Sequence, residues 1–270
     1  MATPPPATVE ESWIEAAEAA ADAAGAVIRP FFRRRLAPTD KADSSPVTIA
    51  DRTAERVIRA VLSERLPEHP VLGEEFGHSG REGRYAWVVD PLDGTRAFIT
   101  GRPSFGTLIA LLDEGRPVLG LIDQPITRER WIGVAGRPTR FSSALLAGSV
   151  GTRSCPRLAE AELSCTSPEM LGGDAGPRWQ RLREQVRRAS WGGDCYAYGL
   201  LALGQLDIVA ECTMRAWDWA ALVPVVEGAG GRVTDWQGNR LRLQGDGTVL
   251  AVGDPARLDE AVALLGSDPS

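Results

Sequence analysis

Histidine and cysteine are scarce in this chain, and their scarcity narrows its chemistry first. The two histidines, His69 and His78, sit in a polar loop region, and the four cysteines, Cys155, Cys165, Cys195 and Cys212, form no CxxC pair. That spacing argues against a zinc site or a disulfide framework, so any metal expected here is a hard cation held by oxygen. Both histidines are expected at the surface with no chemical role. Basic stripes are missing too: the net charge is −6 at pH 7, and no Lys/Arg run interleaves with aromatics. Nucleic acid is therefore not an expected partner. No stretch reaches the roughly 18 apolar residues of a membrane span. The Pro-rich opening, Met1 to Glu10, lacks the basic and apolar blocks of a signal peptide. The expectation is a cytoplasmic, soluble protein with no membrane partner.

At 270 residues and 43% hydrophobic composition, the chain can fill real cores, as one large domain or two ordinary ones. Residues 9–36 have an Ala-rich helical pattern that stops before Pro38, and a second helix is predicted from Thr48 to Pro67. Segments 85–90, 105–112, 117–123 and 130–134 read as strands. Glu114-Gly115 reads as a hairpin turn, so part of the sheet is antiparallel. The Gly- and Ser-containing stretch 142–156 marks a domain crossing. It divides an α+β domain, 1–143, from an α/β domain, 144–270, in which strands at 161–165, 207–210 and 248–252 alternate with helices at 178–188, 196–203, 217–227 and 258–265.

The densest chemical signal is Asp90-Pro91-Leu92-Asp93-Gly94-Thr95. The aromatic and β-branched run Tyr85 to Val89 places Asp90 at a strand end, and a turn after Pro91 would bring Asp90 and Asp93 together. Two carboxylates about 4 Å apart repel by roughly 1 to 4 kcal/mol, so the pair calls for a cation. Gly94 and Thr95 then open a segment whose free N–H groups can receive an anion. Three further acidic sites accompany this run: Asp51, Glu74 with Glu75, and Asp218 between Trp217 and Trp219. A carboxylate amid bulky apolar residues, as at Asp218, needs a partner that a metal supplies. Asp51 also fits a Thr48-x-x-Asp51 capping box, a role compatible with catalysis. Glu75 is expected only near the site, and Asp123 reads as a turn residue. Arg178, Arg181, Arg183, Arg187 and Arg188 read as one charged helix surface, from which one could reach a substrate or a neighbouring subunit.

In order along the chain, VTIAD (47–51), GEEF (73–76), WVVDPLDGT (87–95), WDWAA (217–221) and Glu227-Gly228-Ala229-Gly230-Gly231 with Thr234-Asp235 resemble the inositol monophosphatase family over nearly the full length. These are magnesium-dependent, lithium-sensitive phosphatases. The resemblance implies a layered αβαβα sandwich, a homodimer, and hydrolysis of a small-molecule phosphate monoester by a metal-activated water with two or three Mg2+ per site. Carried over, Glu74, Asp90 and the main-chain carbonyl of Leu92 bind the first magnesium. Asp90, Asp93 and Asp218 bind the second, and Glu74 helps with a third. Thr95, with Asp51 behind it, orients and deprotonates the water, while the N–H groups of Gly94 and Thr95 grip the phosphate.

Within the family, Phe98-Ile99-Thr100-Gly101-Arg102-Pro103, Phe105-Gly106-Thr107-Leu108, Ile122-Asp123-Gln124-Pro125 and Gly192-Gly193-Asp194-Cys195-Tyr196 most resemble the histidinol-phosphatase branch. That implies the phosphatase step of histidine synthesis. Aligned through Gly204, Asp207, Glu211 and Asp218, Asp194 falls beside the position of the sugar ring, and Glu211 falls at the acidic hydroxyl binder. Two acids suit the ammonium and imidazole of histidinol phosphate better than they suit a polyol. The alternatives are that Asp194 merely caps the helix at 196–203, and that the substrate is inositol 1-phosphate or another small polyol phosphate. A nucleotide 3′-phosphatase lacks an adenine-stacking segment here. A non-catalytic metal- or partner-binding protein of the same fold is opposed by the intact set Asp51, Glu74, Asp90, Asp93, Thr95 and Asp218.

Overall fold

The computed structural model describes residues 8–35, 39–40, 46–145 and 147–266. Helix α1 (Glu11–Ile28) buries Trp13, Ala16, Ala17, Ala20, Ala24 and Ile28, the stripe that its apolar spacing dictates. It stops at Ile28 because Pro30 brings no N–H to the ladder, and a 3-10 turn at Arg29–Phe31 closes it. Leu36, the end expected from composition, lies outside the described residues. A short antiparallel pair, β1 (Thr39–Asp40) and β2 (Pro46–Val47), leads to α2 (Ile49–Arg65), which ends two residues before Pro67, as its pattern predicts.

Seven strands then build the large sheet: β3 (Val71–Gly73), β4 (Gly77–Ser79), β5 (Tyr85–Asp93), β6 (Gly106–Asp113), β7 (Arg116–Gln124), β8 (Glu129–Val134) and β9 (Arg140–Ser143), in the order β4-β3-β5-β6-β7-β8-β9. Helix α3 (Thr95–Ile99) joins β5 to β6. The β6–β7 turn has φ of 49° at Glu114 and 78° at Gly115, the two positive values that a tight hairpin requires. Strands β3, β4 and β9 are short, three or four residues each, and none stands out in the sequence pattern.

The second half contributes β10 (Glu162–Cys165), α4 (Ala175–Gln185), β11 (Arg188–Trp191), α5 (Asp194–Ala202), β12 (Ile208–Glu211), α6 (Ala216–Trp219), α7 (Leu222–Gly228), β13 (Arg232–Thr234), β14 (Val249–Val252) and α8 (Leu258–Leu265). Its five-stranded sheet runs β11-β10-β12-β14-β13. The single helix expected over 217–227 is two helices, α6 and α7, because Pro224 has no N–H to offer the carbonyl one turn back.

Period-two alternation along the strands produces three cores and five layers. Trp87, Val89, Ile109, Leu111, Leu119 and Leu121 face α1 and α2. Their neighbours Val88, Leu108, Ala110, Leu112 and Ile122 face the opposite way. There they pack with Tyr198 and Leu201 of α5, Val225 and Val226 of α7, and Val209, Val249 and Ala251 from the second sheet. Ile208, Ala210, Leu250 and Val252 turn outward onto α4 and α8. The fold is thus an αβαβα sandwich, and its middle core draws residues from both sides of position 143. Among the described residues, no helix is long and apolar enough to cross a membrane.

Candidate active site

Strand β5 neither ends at Asp90 nor turns after Pro91, as its sequence suggests. It runs on to Asp93, with Asp90 opposite Leu108 and Asp93 opposite Gly106, so Pro91 and Leu92 together face Thr107 alone. This is a β-bulge at the residue that cannot donate to a ladder. The Pro91 carbonyl accepts from Thr107 Oγ1 at 2.8 Å, and the Leu92 N–H donates to Asp90 Oδ1 at 2.9 Å. In a regular strand, residues three apart point to opposite faces; the bulge instead brings Asp90 and Asp93 to one side. Asp218, in the first turn of α6, joins them, and carboxylate oxygens of the three lie within 4.8 Å of one another. Asp218 Oδ2 is fixed by the Arg215 N–H at 2.6 Å, and Asp93 Oδ2 by the Cys195 N–H of α5 at 2.6 Å. Glu74 follows β3, its N–H donating to the Val89 carbonyl at 3.3 Å.

These acids press on one another. Burial, then Glu74, Asp93 and Asp218, hold the Asp90 carboxyl well above the usual carboxylate range. Asp93 is raised by burial and by Asp194 and Asp218. Asp218 is pushed up to about 7 by burial, Glu74 and Glu211. Asp194 reaches about 7 through burial and Glu211. An oxygen-only donor set whose members repel in a poorly solvated site fits a hard divalent cation, which would relieve that repulsion.

Beside the cluster, Thr95 Oγ1 lies 3.2 Å from Asp51 Oδ1 and 3.3 Å from the Leu92 carbonyl. Asp51 Oδ2 accepts the Thr48 N–H at 2.8 Å, completing the cap of α2, so the capping and site-facing roles coexist on one side chain. Burial raises the Asp51 carboxyl. Gly94, with φ +87°, opens α3; a Cβ there would stand 3.0 Å from Asp194 Cγ and 3.1 Å from Phe105 Cα.

Asp194 does not cap a helix. The N-cap position of α5 is Gly193; Asp194 is the first helical residue, with φ +44°, and its carboxylate packs against Gly94. Its N–H donates to Thr166 Oγ1 at 3.0 Å. Glu211, at the end of β12, is only 3% exposed; it accepts the Thr166 N–H at 2.6 Å and the Tyr198 hydroxyl at 2.9 Å. It therefore stands behind Asp194 with both oxygens engaged. Thr166, which bonds both acids, and Tyr198, which holds Glu211, carry no motif that would single them out in sequence.

Several residues lie elsewhere than expected. His69 is buried, its ring 5.5 Å from both Trp13 and Tyr85, because the apolar rings around it exclude water; His78 is exposed. Asp123 lies inside β7 rather than in a turn, paired with Arg130 Nε at 2.8 Å, and Arg130 also reaches Asp22 at 2.7 Å. Arg178 and Arg181 donate to the carbonyls of Leu264, Leu265 and Gly266, closing the carboxyl end of α8. Arg187 and Arg188 lie beyond α4, and Arg188 pairs with Glu162. Glu75 turns to Arg52 at 3.8 Å.

Layering of this kind around a shared acidic cluster defines a class of phosphatases. A profile of the inositol monophosphatase family matches residues 9–265, and the chain belongs to that family. It is 48% identical over 235 residues to the bifunctional phosphatase IMPL2, chloroplastic, of Arabidopsis thaliana, covering 86% of this chain and 67% of that protein. To the histidinol-phosphatase of Chlorobaculum parvum it is 36% identical over 251 residues, covering 92% and 94%. An inositol monophosphatase from Zymomonas mobilis matches with a TM-score of 0.87 and 47% identity, over 97% of this chain and 100% of that one.

Proposed function

We propose that this family phosphatase is a magnesium-dependent histidinol-phosphate phosphatase of histidine synthesis. Asp194 carries the reading. It is a half-buried carboxylate in a left-handed backbone conformation, set against Gly94 and backed by Glu211 in a site already rich in acids. Strain and repulsion of this kind persist where they serve a purpose, and a substrate with an ammonium group supplies one. The name of the Chlorobaculum parvum relative accords with it. A second reading, a small polyol phosphate as substrate, draws support from the 47% identity to the Zymomonas mobilis inositol monophosphatase.

In this account Glu74, Asp90 and the Leu92 carbonyl would hold one magnesium, Asp90, Asp93 and Asp218 would hold a second, and Glu74 would assist a third. Bound magnesium supplies positive charge for the phosphoryl oxygens and a lowered pKa for water. The chain does the rest. The N–H groups of Gly94 and Thr95 hold the phosphate, aided by the dipoles at the start of α3. Thr95 Oγ1 takes a proton from the attacking water as it passes its own to Asp51 Oδ1, its partner at 3.2 Å. Burial makes Asp51 a stronger base than an ordinary carboxylate. Asp194 receives the cationic end of the substrate, and Glu211 keeps the Thr166 loop beneath it in place. We read the enzyme as a homodimer on the family resemblance, with sedimentation at micromolar concentration as the check on its assembly.

Steady-state kinetics of Asp194→Ala test the assignment. KM for histidinol phosphate is expected to rise at least about tenfold, the loss of roughly 1.4 kcal/mol of a charge-assisted contact, with little change for an aryl phosphate. Equal changes for both esters would favour the polyol reading.

A further inference from the structure

Helix α2 carries three charged residues in one row, Asp51, Glu55 and Arg59, at the four-residue spacing that stacks side chains on a single face. Asp51 faces Thr95, but the other two belong to no chemistry described so far. Glu55 is 0% exposed. A carboxylate so deeply buried is costly unless several donors satisfy it. Its donors are specific: Arg59 Nε at 2.7 Å, the Glu75 N–H at 2.7 Å and the Phe76 N–H at 3.2 Å. Arg59 in turn donates to the Val71 carbonyl at 3.2 Å, to Ser79 Oγ at 2.6 Å and to the Gly77 carbonyl. The pair thus grips β3, the turn after it and β4, and the first N–H it takes belongs to the residue next to Glu74. Gly73, the residue before Glu74, is shaped to the same pair. A Cβ there would lie 2.2 Å from Glu55 Oε1 and 2.8 Å from Arg59 Nη2.

We propose that Glu55 and Arg59 are positioning residues that set the Glu74 carboxylate for divalent cations, with Gly73 providing the space they need. The proposal rests on the reading of Glu74 as a metal ligand. Outer partners of metal ligands are typically worth about 10- to 100-fold in affinity. Because Glu55 acts through Glu74, its effect disappears when Glu74 is gone, which a merely structural role does not require.

The test is Mn2+ binding to the full chain, followed by the electron paramagnetic resonance of the free ion, for wild type, Glu55→Gln, Glu74→Gln and the double variant. Glu55→Gln is expected to weaken one class of Mn2+ site about 10- to 100-fold, and to add nothing in the Glu74→Gln background. Gly73→Ala, which pushes the Glu55 carboxylate aside without changing any charge, is expected to weaken the same class and keeps the proposal testable if Glu55→Gln fails to fold. Normal Mn2+ affinity in folded Glu55→Gln or Gly73→Ala overturns the proposal and leaves Glu74 as a ligand. Additive losses in the double variant also overturn it. A Glu74→Gln variant that binds Mn2+ like wild type overturns both the ligand assignment and the proposal.

Discussion

Thr95 Oγ1 lies 3.2 Å from Asp51 Oδ1, while the other oxygen of that carboxylate accepts the Thr48 N–H at 2.8 Å and caps α2. One side chain therefore serves two structures, one with each oxygen. The two roles separate by substitution, because Asp51 is the third residue of a capping box begun by Thr48, and an asparagine oxygen there can still accept the Thr48 N–H but is no base. Asp51→Asn is expected to lower kcat by about 100- to 10,000-fold while leaving thermal stability within about 1 kcal/mol of wild type. Asp51→Ala also leaves the Thr48 N–H without its acceptor, at a further cost of about 0.5 to 1.5 kcal/mol. Single-turnover phosphate release and thermal melting separate the two effects, and a near-normal kcat for Asp51→Asn contradicts the assignment as base.

The acid cluster couples stability to pH. Asp194 and Asp218 are each raised to about 7, and Asp90 and Asp93 are raised as well, whereas a free aspartate titrates near about 3.9. Between roughly pH 4 and 7 the folded state therefore binds more protons than the unfolded one, and the stability these groups confer is lost as pH rises through that window. Protein stripped of metal by a chelator is expected to melt higher at about pH 5.5 than at about pH 8, and saturating Mg2+ is expected to shrink the difference by removing the share of the ligand acids Asp90, Asp93 and Asp218. His69, lowered by burial, works in the opposite direction as pH falls, but equally with and without metal. Melting curves in chelator and in Mg2+ therefore isolate the cluster, and a pH difference unchanged by Mg2+ contradicts this account.

Gly94 joins the metal ligands to α3 with φ +87°, and a Cβ there meets Asp194 and Phe105 at 3.0 and 3.1 Å. Gly94→Ala is expected to cost at least about 1 kcal/mol of stability through backbone strain alone. It also displaces the N–H groups that grip the phosphate, so kcat/KM falls for every ester alike. A loss confined to one ester would place Gly94 in specificity instead.

Asp194 sets stability against selectivity. Its φ of +44° is strained for a residue other than glycine, and its half-buried carboxyl stands close to Glu211 and Asp93. Asp194→Gly is expected to raise the melting temperature of the metal-free protein while lowering kcat/KM for histidinol phosphate more than for inositol 1-phosphate. A variant that loses stability would show that the carboxylate holds the fold rather than the substrate.

Much of this arrangement is legible in the residues themselves. The run from Tyr85 to Asp90 reads as a strand because aromatic and β-branched residues lead into it, and Asp218 declares itself by standing between two tryptophans. The bulge at Pro91 is harder to foresee, since a turn and a bulge both follow from a proline that cannot donate. Glu55 and Arg59 escape notice because charged residues on a helix usually face water, and only the turn after β3 shows why these do not. Asp123 and the arginines of α4 mislead for the converse reason. Their partners, Arg130 and the last carbonyls of α8, are brought to them by pairing and packing that no local pattern encodes.

The substrate is tested most directly by Mg2+-dependent phosphate release from histidinol phosphate, inositol 1-phosphate and adenosine 3′,5′-bisphosphate, measured side by side as kcat/KM. A preference for histidinol phosphate of at least about a hundredfold, some 2.7 kcal/mol of transition-state discrimination, is the expected result. Equal or greater turnover of inositol 1-phosphate, or no release from any of the three esters with Mg2+ present, contradicts it.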